Sequence, residues 1–148
     1  MELEAKYFST ISYEEDDIIS FPSGIFGFEE YTRFILIRFD NHNNSMICLQ
    51  SVEAQNVAFV MINPHHFIPE YGVTLSQEDE RELQLNDPSE QLAVYNVCVL
   101  QESIPQSTAN LRCPIVINTK ARLAKQIILE NSDYLFKHSF SDLIPKEG

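Results

Sequence analysis

Three cysteines and four histidines are the side chains of this chain best suited to nucleophilic, redox or metal chemistry. Their spacing shows what they can do together. Cys48, Cys98 and Cys113 are odd in number, lie in apolar surroundings such as Met-Ile-Cys-Leu and Asn-Val-Cys-Val, and form no Cys-x-x-Cys pair. They read as buried free thiols in a reducing compartment. His65 and His66 are adjacent, and adjacent side chains of an extended chain point to opposite sides, so the pair does not converge on one ion and suits a surface or turn. His42 and His138 stand alone, with nothing to tie either to a cysteine for nucleophilic catalysis. No Gly-x-Ser-x-Gly elbow, phosphate loop, His-Glu-x-x-His or dinucleotide fingerprint occurs. The expectation is a chain with no catalytic residue, no metal and no cofactor.

Charge is the stronger signal. The 148 residues carry 22 acids against 10 bases, a net charge of −12 and a pI near 4.6. Such a surface repels the phosphate backbone that a nucleic-acid binder must attract, which argues against direct nucleic-acid binding. It also repels an anionic membrane leaflet and speeds encounter with a basic protein. Residues 1–74 hold half of the acids but only three bases, so the field is centred on the first half. Two groups concentrate it. Glu14, Glu15, Asp16 and Asp17 lack the alternating oxygen ligands and central glycine of a calcium loop, and read as a solvated turn or as a docking patch for a basic partner. Glu29 and Glu30 close the segment Phe21-Pro-Ser-Gly-Ile-Phe-Gly-Phe-Glu-Glu-Tyr, which places three Phe around two Gly where neither a regular strand nor a helix can run. That segment is either a loop folded onto the core or an apolar contact patch with an acidic rim, in which Ile25, Phe26, Phe28, Glu29 and Glu30 are the contact residues.

The elements that must position these residues are mostly strands. Tyr7 to Tyr13, Asp17 to Phe21, Arg33 to Phe39, Met46 to Gln50, Val57 to Ile62 and Leu92 to Leu100 are short runs rich in β-branched and aromatic residues. Asn41-His42-Asn43-Asn44 supplies a turn between two of them, and Asn63-Pro64 stops another. Leu92 to Leu100 is apolar on both sides, as suits a central strand. Asn110 to Asn118 alternates, with Leu111, Cys113, Ile115 and Ile117 inward and Arg112, Pro114 and Asn118 outward, and Pro114 suggests an edge or bulge. Lys125 to Glu130 and Tyr134 to His138 complete the set. One short surface helix is expected from Ser76, an N-cap with an acid three residues on, to about Leu85, ended by Asn86-Asp87-Pro88-Ser89. Eight to ten strands without a βαβ rhythm predict an all-β domain, an antiparallel small barrel or barrel-like sandwich, over residues 1–138, with 139–148 as a mobile tail. The start Met1-Glu-Leu-Glu-Ala-Lys has no basic n-region or apolar h-region, and no stretch approaches the ~20 apolar residues of a membrane span. A cytoplasmic protein without a membrane contact is expected.

Five blocks then stand in a recognisable order: Phe21-Pro-Ser-Gly-Ile-Phe-Gly-Phe-Glu, Leu49-Gln50-Ser51, Phe59-Val-Met-Ile-Asn-Pro64, Ala109-Asn-Leu-Arg-Cys-Pro-Ile-Val-Ile-Asn118 and Gln126-Ile-Ile-Leu129. Each is ordinary strand-and-turn grammar, but the ordered set, running from about Tyr7 to His138, resembles the flagellar assembly factor FliW family. Phe26 departs from the family pattern, which has proline there. The resemblance implies a barrel-like, non-enzymatic partner switch that binds flagellin and, alternately, the translational repressor CsrA. Flagellin captures the factor and leaves CsrA free to silence flagellin mRNA; once flagellin is exported, the factor binds CsrA and relieves repression. The competing expectation is a small-molecule-binding or hydrolytic β-barrel whose site is assembled from residues distant in sequence.

Overall fold

Arg33–Asp40 and Asn43–Ser51 are long β-branched and aromatic runs separated by two residues, and they pair as the longest hairpin of the chain. The computed structural model describes residues 1–40, 43–86, 92–130 and 132–143; the turn read at Asn41-His42 and the helix stop at Asp87-Pro88-Ser89 lie outside them. Eleven strands occur among the described residues: β1 Glu2–Glu4, β2 Thr10–Ser12, β3 Ile19–Ser20, β4 Arg33–Asp40, β5 Asn43–Ser51, β6 Ala58–Ile62, β7 Leu92–Val99, β8 Thr108–Ala109, β9 Ile115–Asn118, β10 Leu123–Gln126 and β11 His138–Ser139. Seven of them close a barrel in the order β7-β6-β5-β4-β3-β10-β9 and back to β7. All neighbours are antiparallel except β3 and β10, which run parallel and meet at Ser20 and Leu123. Closure removes the exposed edges of an open sheet.

The strand read as central, β7, makes the closure. On one edge Asn96 to Cys98 pair with β6; on the other Leu92 to Tyr95 pair with β9 and Cys98 to Val99 with β8. Its ends are not covered, since Leu92 and Val99 are exposed. The interior is filled by Ile19, Phe21, Phe34, Leu49, Met61, Ile115 and Ile117, with Phe34 edge-on to Phe21 at 5.2 Å. β1 and β2 form a separate antiparallel pair whose Leu3 and Ile11 pack over Ile35, Ile37 and Cys48.

Several boundaries differ from the sequence reading, each for a packing reason. Asn118, expected outward, is buried because its side chain bonds the chain itself: Nδ2 donates to Leu83 O at 2.8 Å and Oδ1 accepts from Lys120 and Ala121 N. Pro114 is buried and precedes β9 rather than lying on an edge strand. Lys125 to Glu130 is ladder only as far as Gln126, and of Tyr134 to His138 only His138 pairs. A helix α1 spans Gln77–Glu82 with the Ser76–Asp79 capping box, anchored by fully buried Leu83. A second helix, α2 Phe140–Leu143, was not foreseen, and its Phe140 is buried beside Ile62 and Tyr71. Residues 144–148 of the expected tail lie outside the described residues, whereas Ser139 pairs with Thr108.

Candidate functional site

The loop after β3 is made of three successive turns. Gly24 N donates to Phe21 O, Phe28 N to Ile25 O and Tyr31 N to Phe28 O. Two of these need glycine, with φ of 71° at Gly24 and 85° at Gly27. Gly24 is also a close approach, since a Cβ there would lie 2.5 Å from Glu29 Cα. Both readings of the segment hold in part. Phe21 and Ile25 are core, so Ile25 leaves the contact surface proposed from the sequence: the tight turn on Gly24 points it into the barrel cluster. Phe26, Phe28, Glu29 and Glu30 are exposed. Phe28 lies edge-on to Phe59 at 5.0 Å, and Phe26 is held the other way by its N–H, which donates to Gln126 Oε1 at 2.9 Å. Proline at position 26 would suit the turn but lack that bond. Glu29 accepts from Gly27 N, and this backbone bond holds its carboxyl below the usual range.

Phe26 stands over an open groove of about 770 Å³. One wall is Ser23 and Gly24, the second Gly72 and Thr74 to Ser76 at the entry to α1, and the floor runs from Lys125 to Glu130. Lys125 ties the walls together: its Nζ lies 2.7 Å from Asp79 Oδ1 and 2.6 Å from Glu82 Oε2, and Ser23 Oγ also donates to Glu82. Burial pushes Asp79 up, but Lys125 and Ser76 more than offset this and hold it low. Lys125 and Ser23 lower Glu82 in turn. Burial alone would lower Lys125, yet the two carboxylates together raise it. Among the described residues one cation stands between two acids, which leaves the groove net negative. The sequence reading gives Asp79 a capping role at the helix N-terminus, whereas Glu82 is the last residue of α1; their partner 43 or more positions away carries no local signal. Ile128 and Tyr134, also on the groove, were missed for the same reason.

The acidic run Glu14 to Asp17 is exposed, as a short 3-10 turn over Glu15–Asp17 whose Asp17 accepts from Glu14 N. Glu15 pairs with Arg33 at 3.0 Å in the open. Among the described residues no hydrogen bond or ion pair joins this run to Glu29 or Glu30. Elsewhere His65 contacts Tyr71 O through Nε2 at 2.8 Å, and His138 accepts from Leu135 N at 2.7 Å. The cysteines are buried and free; desolvation pushes Cys48 to about 11 and Cys98 to about 12. Among the described residues no group of three or more His, Cys, Asp and Glu is arranged to hold a metal ion, and no helix is long and apolar enough to cross a membrane.

This barrel, loop and groove have relatives. A family profile described as "FliW protein" matches residues 2–140. A flagellar assembly factor FliW from Shouchella clausii is 42% identical over 138 residues, covering 93% of this chain and 92% of that protein. Another from Alkaliphilus metalliredigens is 39% identical over 146 residues, covering 99% and 90%. A crystal structure of the flagellar assembly factor FliW superposes over the whole of both chains with a TM-score of 0.88 at 34% identity.

Proposed function

The chain belongs to the FliW family of flagellar assembly factors, and from that premise we propose that it acts in the cytoplasm by binding proteins, holding flagellin and, alternately, the repressor CsrA. No reaction is involved in this reading. The observation that carries it is an acidic shell, −12 in total, in which the exposed carboxylates of Glu14, Glu15, Asp16, Asp17, Glu29 and Glu30 and the exposed rings of Phe26 and Phe28 occupy one half of the sequence. An RNA-binding repressor presents basic surface, which such a shell attracts, and the shell repels the phosphates that the repressor would otherwise bind. Interference of this kind does not require the protein to occupy the RNA site, and by linkage RNA and protein lower each other's affinity by the same factor. Exposed charges act only over ~8 Å at physiological salt, so the acids responsible must border the RNA path in the complex.

The experiment is fluorescence anisotropy of labelled flagellin mRNA leader bound to CsrA, titrated with this protein across a salt series, alongside direct binding of flagellin. Displacement that weakens as salt rises, and that flagellin abolishes, is the expected result. Neutralising the six acids to Gln or Asn leaves the fold intact, because each surface change costs within about 0.5 kcal/mol and the amide oxygen still accepts the backbone bonds made by Asp17 and Glu29, and it weakens displacement. A neutralised variant that displaces RNA as well as the parent at every ionic strength removes repulsion as the mechanism.

A further inference from the structure

We propose that the barrel edge at Gln126–Leu129 is a docking site for an extended segment of a partner protein, apolar at alternate positions and carrying lysine or arginine, which adds to β10 as one more strand. This rests on the protein-binding reading above and assigns it a place.

The edge is left open by the turn chemistry of the preceding loop. β3 meets β10 only at Ser20 and Leu123; beyond it Phe21 N turns to Thr32 O, and Pro22 and Gly24 carry the chain away. On its other side β10 continues past its ladder, with Ile127 N donating to Pro114 O at 2.9 Å and Leu129 N to Arg112 O at 2.8 Å. Successive amides of an extended chain point to opposite sides, so the N–H and C=O groups of Gln126 and Ile128 face away from β9, toward the groove. Among the described residues no hydrogen bond engages them, although Gln126 is itself buried, 7% exposed, and reaches the groove only through the part of its surface that lines it. The accessible N–H and C=O of Ile128, continued by those of Gln126 at the inner end of the groove about 6.8 Å away, suit the backbone of an extended peptide.

The groove around this edge defines the occupant further. Ile128 is 46% exposed and Phe26 48%, so apolar side chains flank the open backbone groups. The one cation among the described lining residues, Lys125, is held by both Asp79 and Glu82, and exposed Glu130 lies on the rim. A basic residue in the incoming strand finds an acidic wall, whereas an acidic strand meets repulsion.

The test is amide hydrogen exchange of the full chain at Gln126 and Ile128, alone and with saturating flagellin or CsrA, with binding measured in the same samples. In at least one complex both amides exchange at least tenfold more slowly. Ile128→Pro, which removes the N–H from a position already extended, and Ile128→Asp each weaken that complex at least tenfold at an unchanged melting temperature. A complex that forms with both amides unprotected overturns the edge assignment and leaves the partner reading standing. If neither protein binds, the partner reading fails, and an eight-residue peptide of alternating Lys and Val decides the edge by itself. Its binding with protection at Ile128, and none by the Glu-Val counterpart, supports the assignment; no protection overturns it.

Discussion

Replacing Gly24 by Ala tests whether the exposed loop is shaped by backbone contact or only by local conformational preference. At φ 71° an alanine adopts the left-handed region at a cost of about 1–2 kcal/mol. The added Cβ would also lie 2.5 Å from Glu29 Cα and 2.9 Å from Glu29 O, so backbone must move, adding about 1–3 kcal/mol. Reduced freedom of the unfolded chain returns about 0.4–1 kcal/mol. The net loss is about 2–4 kcal/mol, and a chain of this size loses roughly 2–4 °C of melting temperature per kcal/mol, so a fall of about 5–15 °C is expected. Gly27→Ala is the internal control: φ is 85° but nothing lies within 4 Å of the new methyl, leaving strain alone and a net loss of about 1 kcal/mol or less. Thermal and urea unfolding measure both variants, and a carbon-detected NMR titration follows the Glu29 carboxyl. Moving Glu29 breaks its bond from Gly27 N, so in Gly24→Ala its pKa returns toward the ordinary carboxylate range. Equal losses in the two variants, or a Glu29 titration unchanged in Gly24→Ala, would show that the approach of Gly24 to Glu29 does not hold the loop.

Lys125→Met leaves Asp79 and Glu82 facing each other and lowers stability by about 1–2 kcal/mol at pH 7, between the values for exposed and buried pairs. Because both carboxyls are held low, their contribution is present above their ordinary range and is lost as pH falls through the lowered values, so urea midpoints of parent and variant converge below about pH 4. Tyr71→Phe costs about 1–2 kcal/mol in urea unfolding, since the hydroxyl donates to Leu111 O and accepts from Asn96 Nδ2. Burial pushes this phenol to about 12, so the parent loses stability as pH climbs from its unfolded value near 10, and the variant lacks that loss. Cys48 and Cys98, buried and pushed to about 11 and about 12, do not react with a disulfide reagent at pH 8 until the protein is unfolded in urea; titration of thiols against urea checks this.

What the sequence determined by itself was whatever depends on neighbours along the chain. Alternating and β-branched runs set the strand identities from Arg33 to Ile62. Asn63-Pro64 ended β6, and Ser76 with Asp79 capped α1. The charge of −12 and the lack of catalytic spacing needed no structure either, and the ordered blocks from Phe21 to Leu129 pointed to the family. Tertiary structure alone decided what depends on chain closure. Phe21 and Phe26 are the same residue type in one loop, yet one is in the core and the other over the groove, because Gly24 turns the chain against Glu29. Asn118 read as an outward polar residue, and burial is favourable only because Leu83 O, 35 positions back, meets its amide. Lys125 joins Asp79 and Glu82, and β10 lies parallel to β3, more than 100 residues away, paired with it only at Leu123 and Ser20. Periodicity reports which face of an element is apolar. The partner that face meets is selected by closure of the whole barrel, a sum of weak contacts between distant segments that leaves no pattern at any one of them.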